Sequence, residues 1–336
     1  MTSQQRPTLE AVAALAGVGR GTVSRVVNGS PKVSSQAREA VLQAIDELGY
    51  VPNRAARALV TRRTDTVALV VSMSEQRVWD EPYFAGIIRG ISRGLADTGM
   101  QLLLAIAESP AEHKRLEHYL IPQHVDGVLL SSLHGDDGLP RHLEDNGVPT
   151  VLVGAPVGLE PVSCVDADNT GGAREAVDHL IVRGRRRIAT ITGLQDMRVG
   201  VDRLTGYRDA LVNAGMSDAL IAFGDFSEDS GAQGMRELLD REPDLDAVFT
   251  ASDPMAIGAM RVLKQHGRRI PDDVAVVGFD DSASARHTEP PLTSVHQPLE
   301  AMGREMARLL TARIKGDEPE QPTVILETHL VVRESS

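Results

Sequence analysis

The sequence predicts a small all-helical head, a short basic linker and an α/β body of two lobes built on parallel sheets. Three observations predict it. Residues 8–50 carry apolar side chains at helical spacing and no strand-like run. From residue 66 onward, short aliphatic runs alternate with amphipathic helical stretches. Charge is divided unevenly: residues 1–63 hold nine Lys/Arg against four acids, a net +5, and the remainder holds 26 against 43, a net −17. A basic head on an acidic body suits a polyanion at the head and a body that repels it. Taken alone the split weighs no more than chance, and its value comes from the motif beside it.

In the head, Thr8 is placed to cap a helix from Leu9 to Ala16, and Gly17 stops it. A second helix runs from about Arg20 to Asn28, with Val23, Val26 and Val27 at helical spacing, and Gly29-Ser30-Pro31 breaks it. A third runs from about Ser35 to Leu48, with Ala37, Val41, Ile45 and Leu48 on one face and Gly49 closing it. Leu9 to Asn28 fits a helix-turn-helix: Ala13 is small where two helices cross, and Gly17 suits a turn with positive φ. The outward face carries Arg20, Thr22, Ser24, Arg25 and Asn28, polar and cationic as a major groove requires. A purely structural helical bundle is the alternative reading. Residues 51–64 form a basic linker with helical propensity but too little length for a stable helix alone.

The body shows candidate strands at Val67–Val71, Gln101–Ile106, Gly127–Leu130, Thr150–Val153, Arg187–Thr192, Ala247–Thr250 and Val274–Val277. Helical stretches such as Phe84–Asp97, Asn169–Arg183 and Arg203–Ala214 lie between them. About 270 residues is long for one such sheet, so two lobes are expected.

Bulk properties narrow the function class. At 336 residues and 42% hydrophobic the chain suits a folded protein of two or three domains. No apolar run approaches the roughly 18 residues of a membrane span, and the first residues lack the apolar core of a secretory signal, so a cytoplasmic protein is expected. One cysteine, Cys164, excludes an intramolecular disulfide and any multi-Cys metal site. Gly90-Ile91-Ser92-Arg93-Gly94 has nucleophile-elbow spacing, but it falls within a predicted helix and not at a strand-to-helix turn. His113 and His118 do not form H-E-x-x-H, no P-loop is present, and no strand precedes Gly17-Val18-Gly19-Arg20-Gly21. Neither an enzyme nor a bound cofactor or metal is expected.

The run Thr8-Leu9-Glu10-Ala11-Val12-Ala13, then Ala16-Gly17-Val18 and Thr22-Val23-Ser24-Arg25-Val26-Val27-Asn28-Gly29, resembles the head of the lactose-repressor (LacI/GalR) family. Leu48-Gly49-Tyr50-Val51-Pro52-Asn53, Ala56 and Leu59 continue the likeness into that family's hinge. Gly184-Arg185-Arg186-Arg187-Ile188, Arg203-Leu204-Thr205-Gly206-Tyr207, Ser252-Asp253-Pro254-Met255-Ala256, Val277-Gly278-Phe279-Asp280-Asp281 and Pro291-Leu292-Thr293-Ser294-Val295-His296-Gln297-Pro298 extend it through the body. The head and the run from Arg62 to Ser72 look especially like cellobiose-responsive repressors of actinobacteria.

The resemblance implies a homodimer on an inverted-repeat operator in double-stranded DNA, one helix-turn-helix per half-site. Thr8, Arg20, Gly21, Thr22, Ser24, Arg25 and Asn28 would face DNA, with Arg25 the candidate for a bidentate guanine contact. Gly19 and Gly21 depart from the family, which more often has a capping Ser and a longer polar residue there. Readout then rests heavily on Arg20, and a G-rich half-site is expected. The hinge would order on DNA, Asn53, Arg54 and Arg57 among its contacts, with Leu59 wedged into the central base step; packing of Leu59 within its own chain is the alternative.

For the body it implies two lobes like those of periplasmic sugar-binding proteins, joined by three crossovers, with an effector in the cleft. The expected division is a head at 1–51, a hinge at 52–65, and an effector-binding and dimerisation domain at 66–336. Lobe one spans about 66–164 and 295–323; lobe two spans about 165–292 and 324–334. The pocket would hold Ser72, Tyr83, Phe84, Ser131, Arg203, Phe226, Ser252, Asp253, Asp280 and Gln297. Asp280 can accept hydroxyl hydrogen bonds, Arg203 can donate a fork of them, and Phe226 offers a flat wall to a pyranose. Each also has a structural reading, as cap, ion pair or core. Gly154 stands where many sugar-binding members have an aspartate, leaving room for a disaccharide, and cellobiose is the candidate effector. Met197 and Val199 replace polar residues of several relatives, and Trp79 and His134 fall near the cleft mouth with no assigned role. A purine-responsive regulator of the same family and a sugar-binding protein without DNA function are the competing readings. No trailing leucine heptad follows, so a dimer is the default assembly. Leu59→Ala is expected to weaken operator binding in an anisotropy titration at fixed salt; unchanged affinity removes the wedge.

Overall fold

A computed structural model describes residues 7–28, 30–51, 63–132, 134, 135, 137–154, 163–317 and 321–336. The chain divides into two compact units, Met1–Thr64 and Asp65–Ser336. The hinge residues Asn53, Arg54, Arg57 and Leu59 lie outside the described residues.

The head contains helices α1 (Leu9–Leu15), α2 (Arg20–Val27) and α3 (Ser35–Leu48). Thr8 Oγ1 accepts from the Ala11 amide and Ser34 Oγ from the Ala37 amide, both at 3.3 Å, each satisfying one orphan donor of a first turn. Gly17 at φ +64° makes the turn and Gly49 at φ +59° ends α3. Val12, Ala13, Val23, Val26, Val41, Ala44 and Tyr50 form the buried centre. Ile45 and Leu48, expected on the core face, are half-buried packing partners instead; Ala44 takes the central place.

The body begins with β1 (Thr66–Val71), α4 (Glu75–Asp80), α5 (Pro82–Leu95), β2 (Gln101–Ile106), α6 (Pro110–Tyr119), β3 (Gly127–Ser131), α7 (Leu139–Asp145), β4 (Thr150–Val153) and β5 (Cys164–Ala167). Then come α8 (Asn169–Val182), β6 (Ile188–Thr192), α9 (Arg198–Asn213), β7 (Ile221–Phe223), α10 (Glu228–Arg241), β8 (Ala247–Thr250), α11 (Asp253–Gln265), β9 (Ala275–Asp280) and β10 (Thr293–His296). α12 (Leu299–Lys315), β11 (Thr323–Leu326) and β12 (His329–Val331) follow.

These strands make two six-stranded sheets, ordered β11-β5-β4-β3-β1-β2 and β12-β10-β9-β8-β6-β7. Central strands such as Thr-Val-Ala-Leu-Val-Val of β1 are buried almost throughout, which is why they read as unbroken apolar runs. Pairing is parallel except at the edge strand β12, which runs antiparallel to β10. Strands β5, β7, β10, β11 and β12 escaped the sequence reading: they are three or four residues long, several are partly polar, and β11 and β12 pair with strands remote in the chain.

The lobe boundaries also shift from those expected. β5 pairs with β4 and with β11 through Leu326↔Ala167, so residues 165–167 and 324–326 belong to the first lobe. β10 pairs with β9 through His296↔Asp280, so residues 295 and 296 belong to the second. The chain therefore crosses between Ala167 and Asn169, between His296 and Leu299, and between Leu326 and His329.

Glycines set the closest helix contacts. A Cβ on Gly90 would lie 2.4 Å from the Glu300 carbonyl oxygen, and one on Gly303 would lie 2.4 Å from that of Ile87. The spacing that looked like a nucleophile elbow is thus where α5 meets α12 backbone to backbone. Among the described residues no helix is long and apolar enough to cross a membrane. Gly303→Ala should cost about 1–3 kcal/mol through forced separation of these helices, lowering Tm by roughly 3–10 °C in a calorimetric scan.

Candidate functional site

The C-terminal ends of the strands of both lobes converge on one cleft, where open α/β sheets bind ligands. Its cavity is about 660 Å³, within the usual range for small-molecule sites. The first lobe contributes Met73 after β1, Ser132 after β3, Gly154 after β4 and Asp166 in β5. The second contributes Leu194 after β6, Phe226 after β7, Ser252 after β8 and Asp280 at the end of β9. Three of these residues are non-glycine with positive φ: Ser132 at +60°, Phe226 at +73° and Asp280 at +108°. Such strained backbone is held only where surrounding structure over-determines it, and it concentrates at binding sites.

The floor is organised by Arg203 on α9, which is 3% exposed. Its Nε donates to Asn169 Oδ1 at 2.9 Å, Nη1 to the Ala251 carbonyl oxygen at 2.5 Å, and Nη2 to Gln297 Oε1 at 3.0 Å. Asp280 Oδ1 is 3.4 Å from Nη1. The guanidinium carbon lies 3.6 Å from the centroid of the Phe279 ring, a cation–π contact. Burial pulls the Arg203 pKa down, and Asp280 and Asp166 oppose that. Burial pushes the carboxyl of Asp280 up, with Arg203 again acting in the other direction. Asp166 accepts from Asn169 Nδ2 and from the Ala167 amide, at 2.9 and 2.8 Å, yet burial still raises it to about 6. The result is a cation, two carboxylates and an amide facing an apolar wall, able to hold several hydroxyls in fixed directions.

Of the expected effector residues, Tyr83, Phe84, Arg203, Phe226, Ser252, Asp280 and Gln297 line the cavity. The rings of Tyr83 and Phe84 meet edge to face, 5.1 Å apart. Ser72, Ser131 and Asp253 do not line it. Ser72 Oγ pairs with His113 Nε2 at 3.1 Å. Ser131 is buried in β3, and its hydroxyl has no hydrogen-bond partner among the described residues. Asp253 accepts from the Ser282 amide at 2.6 Å and from Ser294 Oγ at 2.5 Å, so its carboxylate ties the loop after β9 to β10. The Ser252 hydroxyl is also occupied, donating to the Phe226 carbonyl oxygen at 3.1 Å. Sequence reasoning missed Asp166, Arg77 and Glu81 as lining groups. Asp166 could have been suspected as a lone acid within an apolar strand; the other two have no sequence signal. Met197 and Val199, which stand where several relatives have polar residues, line the cavity, as does Gly154.

On the head, Thr8, Arg20, Gly21, Arg25 and Asn28 are exposed and Thr22 and Ser24 half-buried, so α2 presents its polar face outward. Arg20 pairs with Glu10 at 3.1 Å, and Asn28 Nδ2 donates to Ser24 Oγ at 3.4 Å. A Cβ on Gly21 would lie 3.6 Å from Arg25 Nη2, ordinary van der Waals contact, so the Arg25 side chain lies back along the helix over Gly21.

Comparison with known proteins gives this geometry its family. Residues 8–53 match the model of bacterial regulatory proteins of the lacI family, and residues 177–336 match a periplasmic binding protein-like domain. The chain is 62% identical over 339 residues to the HTH-type transcriptional regulator CelR of Thermobifida fusca, covering 100% of both chains. It belongs to the LacI family. A solved transcriptional regulator CelR–cellobiose complex is 60% identical, with a TM-score of 0.80 over 98% of this chain and 100% of that one. A lac repressor dimer bound to operator and the anti-inducer ONPF is 28% identical, with a TM-score of 0.87 over 98% and 99%. Members of the family are DNA-binding regulators and not enzymes, and this LacI-family chain is a sequence-specific DNA-binding transcriptional repressor.

The buried carboxyl gives a signed prediction. Its pKa is raised from 3.8 to about 6, so the folded protein binds more protons than the unfolded chain between those values. Stability from this group falls as pH rises through that window. Asp166→Asn should therefore stabilise the body at pH 7.5, by at most about 3 kcal/mol, with the gain vanishing near pH 4. Thermal melts across that range check it.

Proposed function

We propose that this LacI-family repressor controls sugar-utilisation genes as a homodimer on a palindromic, G-rich operator, and that cellobiose bound in the inter-lobe cleft releases it. The observation that carries the effector is the cleft itself. A buried cation, two carboxylates and Gln297 face the Phe226 wall in a cavity of about 660 Å³, room for two pyranose rings. Gly154 keeps one side of that cavity free of a side chain. The CelR–cellobiose complex at 60% identity supports the same ligand. Asp280 and Arg203 would take hydroxyls, and Phe226 the apolar ring face.

At the operator, Arg20 and Arg25 would read base edges, Gly21 and Thr22 would allow close approach, and Thr8, Ser24 and Asn28 would contact nearby phosphates. The hinge would add Asn53, Arg54, Arg57 and the Leu59 wedge. Release requires that cellobiose bind the DNA-free arrangement more tightly than the DNA-bound one, since only differential affinity shifts the equilibrium. The domain division is a head to about residue 51, a hinge to 65 and the effector-binding and dimerisation body beyond. Cytoplasmic residence follows from the role.

The test is fluorescence anisotropy of a labelled G-rich inverted repeat with a central CpG, at fixed salt, with and without cellobiose. Tight binding that cellobiose abolishes is the expected result. Binding indifferent to cellobiose, together with no heat in calorimetry, overturns the effector. Arg25→Ala should weaken specific binding by about 1–3 kcal/mol, roughly tenfold to a hundredfold, and flatten discrimination at one base pair.

A further inference from the structure

Two hydrogen-bonded contacts span the cleft mouth away from the crossovers, and neither touches the floor. The first starts on α4, a short helix anchored by Val78, which is 2% exposed. Arg77 reaches from it to the second lobe, where Nη2 donates to the Asp225 carbonyl oxygen at 2.5 Å and Nη1 lies 3.8 Å from the Asp225 carboxylate. Behind it, Nε donates to Glu81 Oε1 at 3.0 Å, which aims the guanidinium across the opening.

The receiving loop is itself braced. The Asp225 amide donates to Ser230 Oγ at 3.1 Å, and the Ser227 amide to Asp225 Oδ1 at 3.0 Å. Between them stands Phe226, whose ring covers Gly193 so closely that a Cβ there would lie 2.0 Å from the ring edge. A hold on Asp225 is therefore a hold on the apolar wall. The second contact joins the loops after β3 and β6: the Gly135 amide donates to the Asp196 carbonyl oxygen at 3.2 Å, and His134 Nδ1 lies 3.2 Å from Asp196 Oδ2. Asp196 leads directly into Met197, Arg198 and Val199, which line the cavity.

We infer that Arg77 is a positioning residue that latches the cleft over its effector, with Glu81 and Asp225 as its two clamps and the Gly135–Asp196 contact as a second latch. Both join the lobes at the mouth, so the effector leaves when both open. Arg77 thus acts on residence time more than on recognition, since floor contacts choose the ligand. The inference rests on the cleft being the effector site.

The test uses full-length protein and cellobiose, with the fluorescence of the single tryptophan, Trp79, two residues beyond Arg77 on α4 and 63% exposed. Arg77→Met should speed cellobiose release about tenfold in stopped flow while changing association less than about threefold, as for loss of one charge-assisted bond. Arg77→Lys, which keeps one donor for the Asp225 carbonyl, should restore most of the difference. In effector-free protein, Arg77→Met should also accelerate hydrogen exchange at the Gly135 amide, on a separate contact of the same mouth, which a local loss of packing would leave alone. Unchanged release and unchanged Gly135 exchange overturn the latch. Were the parent to bind no cellobiose, the effector reading would fall, and the Gly135 exchange would decide the latch by itself: faster in Arg77→Met supports it, equal in both refutes it.

Discussion

A buried guanidinium needs partners on every side, and the partners of Arg203 are drawn from each part of the body that must act together. Taking the charge out of water costs several kcal/mol, offset only by good geometry and satisfied hydrogen bonds. Here Asn169 stands at the first crossover and Gln297 at the second, while Ala251 and Asp280 end adjacent strands of the second sheet. Phe279 fills the face of the ion that no hydrogen bond can use. One side chain thus fixes the seam between the lobes and the floor of the cleft. A ligand hydroxyl bonded to Asp280 would join a network already tied to two crossovers.

Around that floor, strain and charge are placed with economy. Phe226 and Asp280 hold positive φ because Ser252, Ser227 and Arg203 hold the residues around them. Asp253 contributes from behind, its carboxylate joining Ser282 to Ser294 and so fixing the turn that presents Asp280. Its role is structural, although its neighbour Ser252 lines the cavity. The mouth carries half-buried contacts between few residues instead.

The head obeys a different logic. Its core is six small or medium side chains and Tyr50, enough to fix three helices and to leave α2 facing outward with two arginines. Its net charge is opposite to that of the body, so long-range attraction for DNA is local to it. Coupling between effector and operator is a free energy between two sites, reciprocal by linkage.

The head was legible in its helices, caps and turns, because capping, helical periodicity and turn glycines are local signals, although the exact core face of α3 was not. Thr8, Gly17, Val23, Val26 and Gly49 take the places that their chemistry demands. The alternation of strands and helices in the body was equally local, and the central strands announced themselves by continuous apolar runs. Tertiary structure alone decided the rest. Short edge strands exist because distant partners supply their hydrogen bonds, as β5 does for β11 through Ala167↔Leu326. Whether a polar side chain faces the cleft or serves the scaffold depends on which neighbours reach it first: His113 takes Ser72, Ser282 and Ser294 take Asp253, and Asp166 is left facing the cavity. The sequence determined which chemistry was available to this protein. Folding decided where that chemistry is exposed to a ligand, because exposure is a property of packing between residues far apart in the chain.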